Sequence, residues 1–374
     1  MSDGHPLEQA APSPAVHAIS PNAVTASDED EVAALIETMR TGLARAPEIY
    51  RPGEFWEALI ATNLEMIRTH GIDNFKRTVS NNYYNWLITS LRDPQVQAAV
   101  KRWLRRPTLA PITSRIERSP AGLRTLDRAD TYSLSRAAAW RYKFFVGVAW
   151  ETARSEDCGR LTDELSEPEV GNPIRIRRGG RLISQDLANS IIEFAFASRS
   201  GVIGDGARVA ELGAGYGRLA YVYAEACSLT YCIFDIPPAL AVSQWYLTRV
   251  LGRERIVPYT TRDRIPEDLL APGVVAFFTP DQIELFPDGW FDLTQTISTL
   301  PEMPRTQSAH YLQMLADKSR SALLLKQWRQ WRNELDDVEL REDHYQLPGP
   351  WRLRQRRPDP IQPAFFNQLW ARGS

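Results

Sequence analysis

Long apolar runs are missing from this chain of 374 residues. No stretch approaches the roughly 18 consecutive apolar residues that a membrane-spanning helix needs. The N-terminus also lacks the charged segment followed by an apolar one that marks a secretory leader. The expectation is a cytoplasmic protein with no membrane contact. Cysteine is scarce, and Cys158, Cys227 and Cys232 are an odd set with no metal-like spacing. That excludes a disulfide framework and fits packed thiols in a reducing compartment. Excess charge is absent too: the net value of −2 argues against a nucleic-acid partner, which calls for a clearly basic surface. The short basic runs KRWLRR (101–106) and RLRQRR (352–357) read as solvated faces or structural arginine pairs, with contact to an anionic substrate as the sharper alternative.

What is present is the composition of an ordinary globular protein, 43% hydrophobic and 24% charged. Its length suits two units, or one catalytic domain with a large extension. Residues 1–28 are rich in Pro, Ala and Ser and read as a disordered tail. Residues 29–179 read as an all-helical domain serving as lid, acceptor platform or dimer interface. In PGEFWEALIATNLEMIRTHG, Phe55, Trp56, Leu59, Ile60, Leu64 and Ile67 share one helical face between Pro52 and Gly71. Further helices are expected near 81–92, 94–104 and 133–153. Residues 180–374 change character, with short apolar strands at 207–212, 229–236, 274–280, 291–298 and 321–328 alternating with helices. Alternation of this kind makes a parallel α/β sheet.

The first of these strands runs into ELGAGYGRLA (211–220), which places Gly213, Gly215 and Gly217 behind the carboxylate of Glu211. Glycines at this point let a loop turn tightly and let backbone approach a ligand. A dinucleotide loop would read G-x-G-x-x-G or G-x-G-x-x-A, but Arg218 occupies the last position, and no G-K-[ST] ending marks a phosphate loop. Asp235 closes the second strand in CIFDIPP, where a carboxylate can accept both ribose hydroxyls of an adenosyl group. The set fits a cofactor with adenosine and no pyrophosphate.

This arrangement resembles the class I S-adenosylmethionine-dependent methyltransferases. Within that class, EPEVGNP (167–173), GRLISQDLANSIIEF, ELGAGYGRLA, the D-I-P-P turn with PALAVSQWYL, and TLPEM (299–303) resemble a family of sugar O-methyltransferases. The likeness covers residues from about 180 to the C-terminus. Thr299 departs from the serine expected there, and the helical extension does not align. The resemblance implies a Rossmann-like methyltransferase domain, with a mostly parallel seven-stranded sheet, behind an all-helical N-terminal region. It implies S-adenosylmethionine as cofactor and a small-molecule or glycan acceptor, and leaves homo-oligomerisation open. Glu211, Gly213, Gly215 and Gly217 would surround the methionine part, Asp235 the ribose, and Asp281 and Gln282 the adenine. Ser184, Gln185 and Asp186 would line the cofactor carboxylate or the acceptor, although Ser184 reads equally as a helix N-cap.

Methyl transfer to a neutral sugar hydroxyl calls for a general base or a metal near the carboxyl ends of the fourth and fifth strands. Glu302 stands first among candidate bases, then His310 and His344; the alternative for Glu302 is a helix N-terminal acid. No metal site is expected, and the acidic run 334–344 reads as a solvated face. Trp351 and Trp370 could close over the acceptor, and Trp328 and Trp331 alternate with Lys326, Arg329 and Arg332, as a sugar site would use them. Core packing explains the same tryptophans equally well. The alternatives to a sugar methyltransferase are a methyltransferase with another small acceptor and an inactive methyltransferase fold used for binding.

Overall fold

The computed structural model describes residues 26–77, 136–157, 160–265, 270–333, 335–336, 338–347, 349–362 and 364–373, with the isolated positions 97 and 101. The helices expected at 81–92 and 94–104, and residues 1–25, lie outside the described residues.

Ahead of the sheet come α1 (Ala26–Ala44), α2 (Glu54–His70), α3 (Arg136–Asp157) and α4 (Arg160–Glu164). In α1 the residues Val32, Ile36, Met39 and Leu43 are buried at alternating spacings of four and three, which makes one apolar face. Helix α2 begins after Gly53, where Glu54 N and Phe55 N donate to the Asp336 carboxylate. It ends at Gly71, whose positive φ of 80° lets its N–H reach Ile67 O. Next comes a hairpin, β1 (Ile176–Arg178) and β2 (Arg181–Ile183), whose turn contains position 180, the expected domain boundary.

The α/β part contains α5 (Gln185–Ser198), β3 (Arg208–Leu212), α6 (Arg218–Ala226), β4 (Thr230–Phe234), α7 (Ala239–Leu251), β5 (Ile256–Val257), β6 (Val275–Phe278), β7 (Phe291–Ile297), α8 (Arg305–Lys318) and β8 (Ser319–Trp328). A small hairpin follows, β9 (Gln330–Asn333) with β10 (Val338–Arg341), then β11 (Trp351–Pro358) and β12 (Phe365–Arg372). The main sheet has the order β11-β12-β8-β7-β3-β4-β6-β5. The pairings from β5 to β8 are parallel, and β12 runs antiparallel to both β8 and β11. This is the expected Rossmann-like methyltransferase fold behind a helical N-terminal region, with eight strands in place of seven. The extra strand is β5, two residues that pair with the edge of β6.

Alternation along the strands divides the core into two layers. Val209, Tyr231, Ile233 and Leu293 pack with residues of α3, α5, α6 and α7 on one face. Ala210, Leu212, Cys232 and Phe234 pack with α8, Tyr50, Trp56 and Ile60 on the other. Strands β4 and β6 are buried at every position, as parallel strands covered on both faces must be. The chain moves outward from β3 through β4 to β6, then returns to the other side of β3 as β7. The crevice at the carboxyl ends of β3 and β7 is therefore the switch point, where such sheets bind ligands.

Candidate functional site

At that crevice a cleft has two lobes that share Trp56, Gly213, Asp235 and Thr299. The first lobe adds Asn189, Glu211, Gly215, Arg218, Ser298, Glu302, Lys326 and Phe365 among others. The second is more apolar and includes Tyr50, Phe234, Ile236, Pro280, Met303 and Tyr311. Their volumes, ≈ 70 and ≈ 30 Å³, fall short of the roughly 300–1,000 Å³ of most small-molecule pockets. Tyr50, Arg51, Pro52 and Trp56, from the part of the chain ahead of the sheet, line the second lobe as a roof. Gln307 Nε2 pins that roof by donating to Ile49 O and Arg51 O, each at 2.7 Å.

The glycine loop divides its work. Gly213 and Gly215 line the cleft with positive φ values of 76° and 58°. A Cβ on Gly213 would stand 2.1 Å from Thr299 Oγ1, so this glycine lets the β3 and β7 loops touch. Gly217 lines neither lobe. It precedes α6 with φ 81°, and a Cβ there would meet Leu247 Cδ1 at 2.6 Å. Its bareness serves the packing of α6 on α7.

Asp235 is almost fully buried, and its Oδ2 accepts from Gly215 N at 2.9 Å while Oδ1 accepts from Ile236 N at 2.7 Å. A carboxylate offers about four lone-pair sites, and the backbone N–H groups of Gly215, Ile236 and Ala214 leave capacity for a ribose hydroxyl of a nucleoside. Burial pushes its pKa up to about 7, against the pull of the backbone donors. Glu211 is likewise buried, on the β3 face that Tyr231 shares, and accepts from the Tyr231 hydroxyl at 2.6 Å. Tyr231 in turn accepts from Gln295 Nε2, and Tyr223 donates to Gln295 Oε1. Burial raises Glu211 to about 8, outweighing the Tyr231 hydrogen bond.

Two cations stand on the same wall, and carboxylates outside the cleft already match both. Arg218 holds Glu193 through two contacts of 2.6 and 3.1 Å. Lys326 bridges Glu193 at 2.8 Å and Asp359 at 3.0 Å. Burial opposes ionisation of Glu193 and Asp359, but these cations outweigh it and hold both pKa values below the ordinary ones. Glu211 and Asp235, by contrast, are held by a hydroxyl and by backbone N–H groups. Asn189 Oδ1 and Ser298 Oγ are buried polar atoms of the wall with no hydrogen-bond partner among the described residues.

Other expected site residues occupy different places. Ser184 caps α5 by accepting from Leu187 N and donates to Glu167 Oε2 at 2.7 Å. Asp186 is buried beneath the loop and accepts from the Tyr216 hydroxyl at 2.8 Å. Neither these two nor Gln185 lines a lobe. Glu167, of EPEVGNP, also ion-pairs with Lys76, whose Nζ lies 5.3 and 4.6 Å from the rings of Tyr216 and Tyr246. That contact fastens the segment before the sheet to the glycine loop. Gln282 is absorbed by a capping box with Thr279 and by a bond to Thr260 O, and Asp281 lies beside it, with neither in a lobe wall. Glu302 lines the first lobe. His310 lies behind the roof, its Nε2 3.0 Å from the Tyr50 hydroxyl, which also bonds Glu284. His344 sits at the end of β10, where its Nδ1 meets Arg341 N.

Trp351 and Trp370 are core residues, and Trp328 packs on Trp331 and Phe365. In RLRQRR, which forms most of β11, Arg356 pairs with Glu342 and Arg357 with Glu156. Among the described residues no cluster of His, Cys, Asp and Glu could hold a metal, and no helix is long and apolar enough to cross a membrane. The residues that sequence reasoning left out are Trp56, Asn189, Arg218 and Ser298; only Arg218 carried a local signal, as the residue that breaks the dinucleotide pattern.

No family model matches this chain, and no curated protein does. Solved structures do. Magnesium protoporphyrin IX methyltransferase from Synechocystis, with bound SAM, is 12% identical at a TM-score of 0.35, over 74% of this chain and 97% of that one. A SAM-dependent methyltransferase from Aquifex aeolicus is 12% identical at 0.34, over 48% and 88%. The cyclase SpnF is 11% identical at 0.38, over 60% and 96%. Similarity at this level says nothing of this chain's activity.

Proposed function

We propose that this chain binds S-adenosylmethionine in the cleft and transfers its methyl group to a hydroxyl of a sugar. The observation that carries the reading is the hydrogen bond from Gly215 N to Asp235. It joins the β3 glycine loop and the β4 acid into one nucleoside-sized recognition unit, with Glu211 beside it. Electrostatics separates this cofactor from a nicotinamide dinucleotide. The wall cations are matched by Glu193 and Asp359, while Glu211 and Asp235 have neutral partners. Once Glu211 and Asp235 ionise, a cleft with that balance draws in a sulfonium and an ammonium and repels a pyrophosphate.

The residues present fit the cofactor. Asp235 keeps acceptor capacity for a ribose hydroxyl, the loop at Gly213 and Gly215 exposes backbone, and Asn189 Oδ1 supplies an acceptor for an ammonium. When bound, S-adenosylmethionine supplies an electrophilic methyl group that an oxygen reaches in line. Holding that alignment in a closed, dry cleft provides much of the acceleration, and Trp56 with residues 50–52 lines the side from which water would be kept out. Glu302, on the wall of the first lobe, takes the hydroxyl proton. Phe365 and Trp56 offer apolar faces to sugar C–H surfaces on the same wall.

The reading is tested by equilibrium binding of S-adenosylhomocysteine and of NAD to the same preparation. The expectation is micromolar affinity for the first and none for the second. NAD binding as tight or tighter would defeat it.

A further inference from the structure

Two neighbours on the cleft wall do more than the cofactor requires. Ser298 follows β7 and Lys326 lies near the end of β8, and Ser298 N donates to Lys326 O at 2.7 Å. Both face the first lobe with Phe365, whose ring centre is 5.6 Å from Lys326 Nζ. Ser298 is held at φ 63°, a left-handed conformation that disfavours a residue with a Cβ. Its Oγ is nevertheless buried with no hydrogen-bond partner among the described residues. A strained backbone and an unmet hydroxyl both cost stability, and a glycine here would remove both costs.

Lys326 is 1% exposed. Of its three N–H groups, one goes to Glu193 and one to Asp359; no third acceptor stands against Nζ among the described residues, and the residue lines the first lobe. Its charge is not available. Arg218 and Lys326 face Glu193 and Asp359, two cations against two carboxylates. The lysine therefore offers a directed hydrogen bond with no surplus positive charge, in a lobe that also holds Glu211 and Asp235.

We infer that Ser298 Oγ and Lys326 Nζ form the acceptor notch, and that it selects adjacent neutral hydroxyls over a carboxylate or phosphate. One acceptor oxygen takes the third lysine N–H, and its neighbour exchanges a hydrogen bond with Ser298 Oγ, a group that both donates and accepts. An acidic acceptor would bring a charge with no free counter-charge to meet it. This inference rests on the methyl-transfer reading and narrows its substrate class to uncharged polyols, which excludes acidic and nucleotide-linked sugars at this subsite.

The test uses the full chain saturated with S-adenosylhomocysteine and two probes, methyl glucopyranoside and methyl glucuronide, with binding followed by saturation-transfer NMR and titration. The glucoside is expected to bind, and the glucuronide about tenfold or more weakly. Ser298→Gly is expected to raise the thermal midpoint, leave S-adenosylhomocysteine affinity unchanged and weaken the glucoside about tenfold, with Ser298→Ala weakening it alike. Lys326 is left intact in this test because its removal strands Glu193 and Asp359. Equal or tighter binding of the glucuronide, binding of neither probe, or an unchanged glucoside affinity in both variants overturns the inference. Loss of S-adenosylhomocysteine affinity in Ser298→Gly would also overturn it, by moving Ser298 to the cofactor. Failure of the wild type to bind S-adenosylhomocysteine would instead overturn the methyl-transfer reading beneath it.

Discussion

Asp235 Oδ2 accepts a hydrogen bond from Gly215 N at 2.9 Å, across the gap between the β4 and β3 loops. The acid that would read the ribose thus also fixes the loop that would receive the methionine part. Cofactor binding and loop geometry are therefore coupled through a single carboxylate.

One consequence concerns pH. Burial raises Glu211 to about 8 and Asp235 to about 7, so both carry protons over part of the neutral range in the ligand-free protein. A cationic ligand requires them ionised, and binding expels the protons. Affinity for S-adenosylmethionine should rise between pH 6 and 8, by up to about tenfold per pH unit for each carboxylate that must ionise, and level off above. Titrations in buffers of different ionisation enthalpy would show the proton release. An affinity independent of pH over that range would count against these two acids as the cation's partners.

Stability should move the opposite way. With both pKa values raised on folding, the native state binds more protons than the unfolded chain above the ordinary carboxyl pKa of about 4. Their contribution is full below that value and is lost as pH rises through 7 and 8. Glu211→Gln keeps an acceptor for the Tyr231 hydroxyl and has no proton to lose. It should melt higher than the wild type at pH 8 without ligand, yet bind S-adenosylmethionine much more weakly. A lower melting midpoint at that pH would show that the ionised carboxylate stabilises the fold.

The glycines should separate in mutation. Gly213→Ala places a Cβ against Thr299 in the cleft and should abolish binding, with destabilisation from strain at positive φ of about 1–3 kcal/mol. Gly217→Ala meets Leu247 instead. It should destabilise by a similar amount while sparing cofactor affinity in the fraction that folds. Thermal melts paired with titrations distinguish the two.

The roof offers a kinetic test. Gln307→Ala removes both anchors on Ile49 O and Arg51 O, at about 0.5–1.5 kcal/mol for each net hydrogen bond. Dissociation of S-adenosylhomocysteine, followed by stopped flow, should be faster in the variant. An unchanged rate would mean that the 49–51 segment does not gate the cleft.

The parts of the site legible in the sequence are those made by one strand, its loop and the next strand. Glu211, Gly213, Gly215 and Asp235 announce themselves because glycine spacing and the strand-end acid are local patterns. Gly217 belongs to the same pattern but serves Leu247, a contact that only the packing of α7 creates. The sequence offers Lys326 only as a cation beside Trp328 and Trp331, and its meeting with Ser298 depends on strand order: β7 returns to β3, β8 joins it, and β12 folds back antiparallel. The counter-charges of Lys326, Glu193 on α5 and Asp359 after β11, come from distant parts of the chain. The same non-locality turned Trp351 and Trp370 from plausible sugar contacts into core, and left β5, β11 and β12 out of the expected strand list.

The most direct measurement is calorimetric titration of S-adenosylhomocysteine into the wild type and into Asp235→Ala. Each hydrogen bond to a charged group contributes about 1.5–3 kcal/mol, so loss of a ribose contact predicts micromolar binding that falls roughly tenfold to a hundredfold in the variant. Equal affinity in the two proteins, with both folded, would contradict the assignment of the glycine loop and Asp235 to one adenosyl site.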